Sequence, residues 1–165
     1  MNMQLNLNKI YLETYDKNNN AHEYLIKQFA NDSYSSFISM IDSRLRLNSK
    51  QKTFPFDTAF IVYLYTGEIL GYVFISGVRN DEVYLEYSIL KDKRNKGYGK
   101  LTLELVTNYL FINYNIKDIA LDIDVSNEAS MKTTMSCGYY EDEYVDNGRL
   151  IYKNYNLSYV TRRKK

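Results

Sequence analysis

Ser88-Ile89-Leu90-Lys91-Asp92-Lys93-Arg94-Asn95-Lys96-Gly97-Tyr98-Gly99-Lys100 joins a strand pattern to a helical one, and its reading decides the fold. On its N-terminal side, Val83 to Leu90 alternates like a strand. On its C-terminal side, Tyr98 to Tyr114 is apolar at helical spacing: Leu101, Leu105, Tyr109 and Ile112 form one stripe, widened by Leu103, Val106 and Leu110. Gly97 and Gly99 remove side chains, so main-chain N–H groups can approach an anion closely. A helix start leaves unpaired donors and about half a positive charge. The combination is a ready phosphate site, and Arg94, Lys96 and Lys100 add cationic charge around it.

Two nucleotide readings fail on residues. The dinucleotide fingerprint needs a third glycine where this chain has Thr102, and a Walker loop needs a hydroxyl where it has Leu101 and a glycine where it has Arg94. What remains is Arg-x-x-Gly-x-Gly between an apolar strand and a long helix.

Working outward, Ala59 to Tyr65 and Ile69 to Val78 read as a hairpin through Thr66-Gly67-Glu68, and Arg79-Asn80-Asp81 turns the chain into the strand before the loop. Further upstream, Ile10 to Thr14 is a short strand. Asn20-Ala21-His22-Glu23 opens a helix with Asn20 as its cap, which leaves His22 a surface residue of the first turn. Ser33 to Leu47 reads as a second helix and Asn48 to Asp57, with Pro55, as a loop. Downstream, Ile119 to Val125 alternates like a strand. Ser126 or Asn127 caps a short helix ending at Gly138, and Tyr139–Val145 pairs with Leu150–Tyr155 through Asp146-Asn147-Gly148. This order predicts an α+β domain with a mixed sheet.

The chain of 165 residues is 45% hydrophobic and 25% charged, as one globular domain requires. One cysteine, Cys137, and one histidine, His22, exclude a disulfide framework and a zinc cluster, so no metal is expected. A net charge of +1 argues against a nucleic-acid partner. No apolar run approaches the roughly 20 residues that span a bilayer, and Met1 to Asn8 lacks the charged and apolar regions of a signal peptide. The expectation is a cytoplasmic protein with no membrane partner, ending in the basic run Thr161 to Lys165.

The Arg94-to-Gly99 pattern resembles the acetyl-CoA loop of the GNAT superfamily of N-acetyltransferases. A second signature stands after the next strand: Asn127-Glu128-Ala129-Ser130, then Cys137-Gly138-Tyr139. It is similar to the family's Asn-x-x-Ser/Ala … Gly-Phe pattern, in the form found among ribosomal-protein N-terminal acetyltransferases. The resemblance covers Phe60 to Tyr155 well and implies a mostly antiparallel sheet flanked by helices, with a splayed parallel strand pair, Val83–Leu90 and Ile119–Val125. It implies one acetyltransferase domain over 1–165: acceptor-side helices in 1–56, an acetyl-CoA core in 57–156 and a basic tail in 157–165.

The implied reaction is transfer of an acetyl group from acetyl-CoA to the primary amine of a small molecule or a protein, by direct attack in a ternary complex. The implied cosubstrate-binding residues are Ile89, Leu90, Lys91, Arg94, Asn95, Lys96, Gly97, Tyr98, Gly99, Lys100, Asn127 and Ser130, with the Ile89 N–H set to polarise the thioester carbonyl. A lysine-like amine, pKa about 10.4, is protonated at neutral pH, so it needs a base. Asp122 is the first candidate and Glu86 the second; the plain alternative for each is an outward-facing strand residue, and Asp124 shares the face of Asp122. Many family members carry a tyrosine as general acid seven residues after the asparagine. This chain has Thr134 there, which leaves Tyr139, Tyr140 or water as substitutes and keeps open the alternative of a CoA-binding module without chemistry. An acyl-enzyme on Cys137 is a minor route. The strand Leu150–Tyr155, read as an edge, offers a homodimer contact.

Overall fold

Backbone alternation puts successive strand residues on opposite faces, and the β-branched and aromatic residues after position 58 use both. A computed structural model describes residues 10–16, 18–30, 59–145 and 147–161. Among these the elements are β1 (Ile10–Thr14), α1 (Asn20–Ala30), β2 (Ala59–Leu64), β3 (Ile69–Arg79), β4 (Glu82–Ile89), a 3-10 turn (Lys91–Lys93), α2 (Tyr98–Asn113), β5 (Asp118–Asp124), α3 (Glu128–Ser136), β6 (Tyr140–Val145) and β7 (Arg149–Tyr155). The second helix expected over Ser33–Leu47 and the loop with Pro55 lie outside the described residues.

One mixed sheet runs in the order β1-β2-β3-β4-β5-β7-β6. All neighbours are antiparallel except β4 and β5, which pair in parallel only at Glu82↔Asp118, Val83↔Ile119 and Tyr84↔Ala120. Beyond those three rungs the two strands run on unpaired with each other, so the expected splay is present. The edge strand at this end is β6. Strand β7, the expected edge, lies inside the sheet between β5 and β6 because its register with β5 covers its whole length.

The main core fills the face under α2, where Val73, Val83, Leu85, Leu121 and Ile123 meet Leu103, Val106 and Leu110. Leu103, Val106 and Leu110, expected to widen the packed stripe of α2, are its buried centre together with Thr102 and Thr107, whereas Ile112, expected within the stripe, is 80% exposed. Two threonines enter that face because their hydroxyls are satisfied there. Thr102 donates to the Tyr98 carbonyl at 2.7 Å, and Thr107 bonds the Tyr139 hydroxyl at 2.7 Å. On the opposite face, Leu25 of α1 packs on Ile61 and Tyr63, with Tyr72 and Leu90 beside them.

His22 is on that second interface and fully buried, not on the surface. Its Nδ1 accepts the Asp16 N–H at 3.0 Å, which leaves Nε2 to carry the hydrogen and donate to the Tyr63 hydroxyl at 3.0 Å. The helix begins one residue earlier than expected in its capping: Asn19 Oδ1, not Asn20, accepts from the N–H groups of Ala21 and His22.

Candidate active site

Strand β4 ends at Ile89, and the register with β3 fixes which way its last amides point. Leu90 N–H bonds the Leu70 carbonyl at 2.8 Å, so by antiparallel alternation Ile89 N–H points the other way, into the opening beside β5. Gly71 allows this close pairing, because a Cβ there would collide with the Ser88 carbonyl. The chain then makes its 3-10 turn and passes through two left-handed residues, Asn95 (φ 62°) and Gly97 (φ 84°), before α2 starts. Among the described residues no side chain caps α2. Among the described residues, the N–H groups of Gly97, Tyr98, Gly99 and Lys100 have no protein acceptor. They are the donors that an anion would occupy.

These amides border a cleft of about 330 Å³ between the β4–α2 junction and the start of α3. Of the residues expected from the sequence, Ile89, Arg94, Asn95, Gly97, Tyr98, Gly99, Lys100, Asn127 and Ser130 line it. Leu90, Lys91 and Lys96 do not. The side chain of Leu90 turns to the opposite face, Lys91 sits in the exposed 3-10 turn, and Lys96 Nζ folds back on the Asp92 carbonyl at 3.4 Å. Arg94 has a structural bond as well, its Nε donating to the Ile89 carbonyl at 2.9 Å and tying the loop to the end of β4. Asn127 caps α3, its Oδ1 accepting from Ser130 N–H at 3.1 Å. The cleft therefore fits a diphosphate ester carrying a long polar arm: main-chain donors at one end, and an open gap between strands at the other.

Sequence reasoning missed Tyr87, Ser88, Lys93, Ala129 and Thr133, which also line the cleft. Tyr87 was findable, since it lies two residues before Ile89 on the same strand face. Thr133 lies three positions after Ser130, one helical turn further on.

Glu86 and Asp122 are brought together, but on the other face of the sheet. They border a second cleft of about 310 Å³ with Ser76, Gly77, Tyr84, Leu85 and Arg149. Asp122 is held in a two-point clasp: Arg149 Nε donates to its Oδ1 at 2.7 Å, and Arg149 Nη2 to its carbonyl at 3.2 Å. The charge of Glu86, together with the larger effect of burial, pushes the Tyr72 phenol up to about 12. Asp124 is turned to its own loop, accepting from Ser126 N–H and hydroxyl, and those bonds hold its carboxyl below the usual range.

At the closed end of the splay stands a charged cluster. Lys153 Nζ lies 2.8 Å from Glu82 Oε2 and 3.5 Å from Asp142 Oδ2. Asp118 is 2% exposed; burial, then its bond to Glu82, pushes its carboxyl up to about 7. Burial pushes Glu82 up too, but bonds from Asp118 and Lys153 outweigh that and leave it low. The environment thus favours the neutral form at Asp118 and the charged form at Glu82.

The substitutes considered for the missing acid are poorly placed. Tyr139 is buried with its hydroxyl bonded to Thr107, and burial pushes its pKa far up. Tyr140 is exposed on β6, stacked on Tyr155. Cys137 lies in a different pocket, its Sγ 3.6 Å from the Lys100 carbonyl, and burial raises its thiol pKa.

A mixed sheet that opens between two parallel strands, beside free amides at a glycine-rich helix start, defines an acyltransferase that draws its acyl group from coenzyme A. The model of the acetyltransferase (GNAT) domain matches residues 4–140, and the chain belongs to that family. It is accordingly an N-acetyltransferase with acetyl-CoA as cosubstrate. No curated protein matches the chain. Among solved structures, it is similar to the spermidine N-acetyltransferase of Vibrio cholerae in complex with CoA and spermine (TM-score 0.66, 14% identity, 89% of this chain and 95% of that one). A dodecameric form of the same enzyme aligns with a TM-score of 0.69 at 15% identity, over 94% and 98% of the two chains. A domain from Methanocaldococcus jannaschii aligns with a TM-score of 0.68 at 19% identity, over 89% and 98%. At these identities the likeness is one of fold.

Proposed function

We propose that the chain acetylates a small cationic primary amine by direct attack in a ternary complex, the donor entering from the α2 face and the acceptor from the opposite face. The reading rests on one observation above others: the free amides of Gly97 to Lys100 stand beside a gap between β4 and β5. In this reading the diphosphate lies on those amides with Arg94, Asn95 and Lys100 beside it. The polar arm runs past Ile89, Asn127 and Ser130, and the Ile89 N–H faces the thioester carbonyl. Acetyl-CoA supplies a thioester whose thiol, with a pKa of about 8.5, leaves readily.

Glu86 is assigned the base. It shares the second cleft with Asp122, whose charge is already engaged by Arg149. Asp122 and Arg149 position that wall. A cationic acceptor suits Glu86 beside the Asp122–Arg149 pair, and a spermidine N-acetyltransferase of similar fold has been solved with CoA and spermine. The protein α-amine, suggested by the Asn127-x-x-Ser130 form of the ribosomal-protein branch, is the second reading. A single unit over 1–165, a cytoplasmic setting and a homodimer, with β6 as the edge, complete the proposal.

The test is thiol release from acetyl-CoA across a panel of polyamines, small monoamines and peptides. Turnover is expected to be fastest with polyamines. CoA binding without turnover of any amine would favour a module that has lost its chemistry, and no binding at millimolar CoA would sink the whole reading.

A further inference from the structure

Negative charge develops on the departing sulfur, and Thr134 stands where the family's acid is usual. Thr134 is fully buried, and its hydroxyl has no hydrogen-bond partner among the described residues. The Tyr87 ring lies against the start of α2, its Cε2 3.7 Å from where a Cβ on Gly99 would sit. Its phenol faces the hydroxyls of Ser130 and Thr134, and the side chain lines the donor cleft. It also shares its strand face with Ile89, whose N–H opens onto the same gap.

We propose that Tyr87, supplied by β4 instead of α3, is the hydrogen-bond donor to the leaving thiolate. This rests on the function proposed above. Burial raises the phenol pKa against the smaller opposing effect of Ser130 and Thr134, so the group stays protonated through neutral and mildly alkaline pH. In the step it serves, the amine nitrogen forms the C–N bond and the C–S electron pair returns to sulfur. The phenol O–H hydrogen-bonds the sulfur as negative charge develops there, and the thiolate departs within that bond and takes its proton from solvent. The proton shed by nitrogen passes through Glu86 to solvent. Atoms and charge balance without a further reactant.

The experiment follows the ionisation of bound CoA by the ultraviolet absorbance of its thiolate against pH, alongside calorimetry with CoA and steady-state rates with acetyl-CoA. In the wild-type protein the bound thiol should titrate below its ordinary value of about 8.5. Tyr87→Phe should keep CoA affinity within about threefold, raise the bound-thiol pKa by about one unit and lower kcat about ten- to a hundredfold. A bound thiol that titrates alike in both proteins, or an unchanged kcat, overturns the assignment. Should the variant misfold, the wild-type titration decides: a thiol at or above 8.5 rejects it. Failure of the wild-type protein to bind CoA would instead overturn the proposed function itself, and this donor with it.

Discussion

The two faces of the sheet carry two clefts built from different materials. The cleft under α2 is made largely of main chain: the amides of Gly97 to Lys100 and the outward N–H of Ile89. The cleft on the other face is made of side-chain charge, with Glu86 on β4, Asp122 on β5 and Arg149 on β7. Main-chain donors are fixed by backbone geometry, which a short glycine-containing segment specifies on its own. Side-chain charge is fixed by which strands become neighbours, and that is settled far along the chain. The first cleft should therefore fail through backbone and bulk, and the second through charge and pH.

The largest effect expected is that of Gly97→Glu. It puts a carboxylate among the anion's donors and forces a non-glycine residue to φ 84°, a strain of about 1–2 kcal/mol that the fold can absorb. CoA affinity should fall at least about a hundredfold while the far-ultraviolet spectrum is kept; calorimetry and circular dichroism check both. Next comes Glu86→Gln, which should lower kcat about a hundredfold at neutral pH and leave CoA affinity intact. Asp122→Asn should cost less and keep the shape of the pH–rate profile. A reversal of these two would exchange their roles and undo the contrast drawn on that face.

Smaller still is His22→Leu. It strips the Asp16 N–H and the Tyr63 hydroxyl of their partner under α1 and should cost about 1–3 kcal/mol, read from thermal or urea unfolding. CoA affinity should not move if the two faces are independent. Last is a slope. Asp118 holds its proton to about pH 7 when folded, whereas an unfolded aspartate releases it near 3.9. Its contribution is complete below the unfolded value and is lost as pH rises through about 7. Urea unfolding at pH 5 and pH 7.5 should show the wild type weakening across that window and Asp118→Asn weakening less.

The same division explains what could be read in advance. Arg94 to Gly99, the Asn127 cap and the Asn147-Gly148 turn are local, and each stands where its pattern predicts, Asn147 and Gly148 both at positive φ. On α2 the apolar spacing finds Leu103, Val106 and Leu110 but not Thr102 and Thr107, which count as polar yet bury with satisfied hydroxyls. His22 was misread because its burial depends on Tyr63, 41 residues away. The edge was assigned to β7 because the hairpin signal says that two strands pair and not which of them meets β5. Lys96 was assigned to the anion by type, but its side chain folds back on its own loop.

Three rungs join β4 to β5, against seven between β5 and β7. The sheet is thus two panels sharing a short hem, and a donor lying in the gap as proposed would become stitching for both. Substrate binding and folding would then draw on the same hydrogen bonds. Without a donor, the amides along the gap's borders should exchange with deuterium faster than those of the fully paired β5–β7 ladder. At a hundredfold excess over its dissociation constant, the donor would steady the whole chain by about 2.7 kcal/mol, so a melting curve taken at rising CoA measures how firmly the hem is sewn.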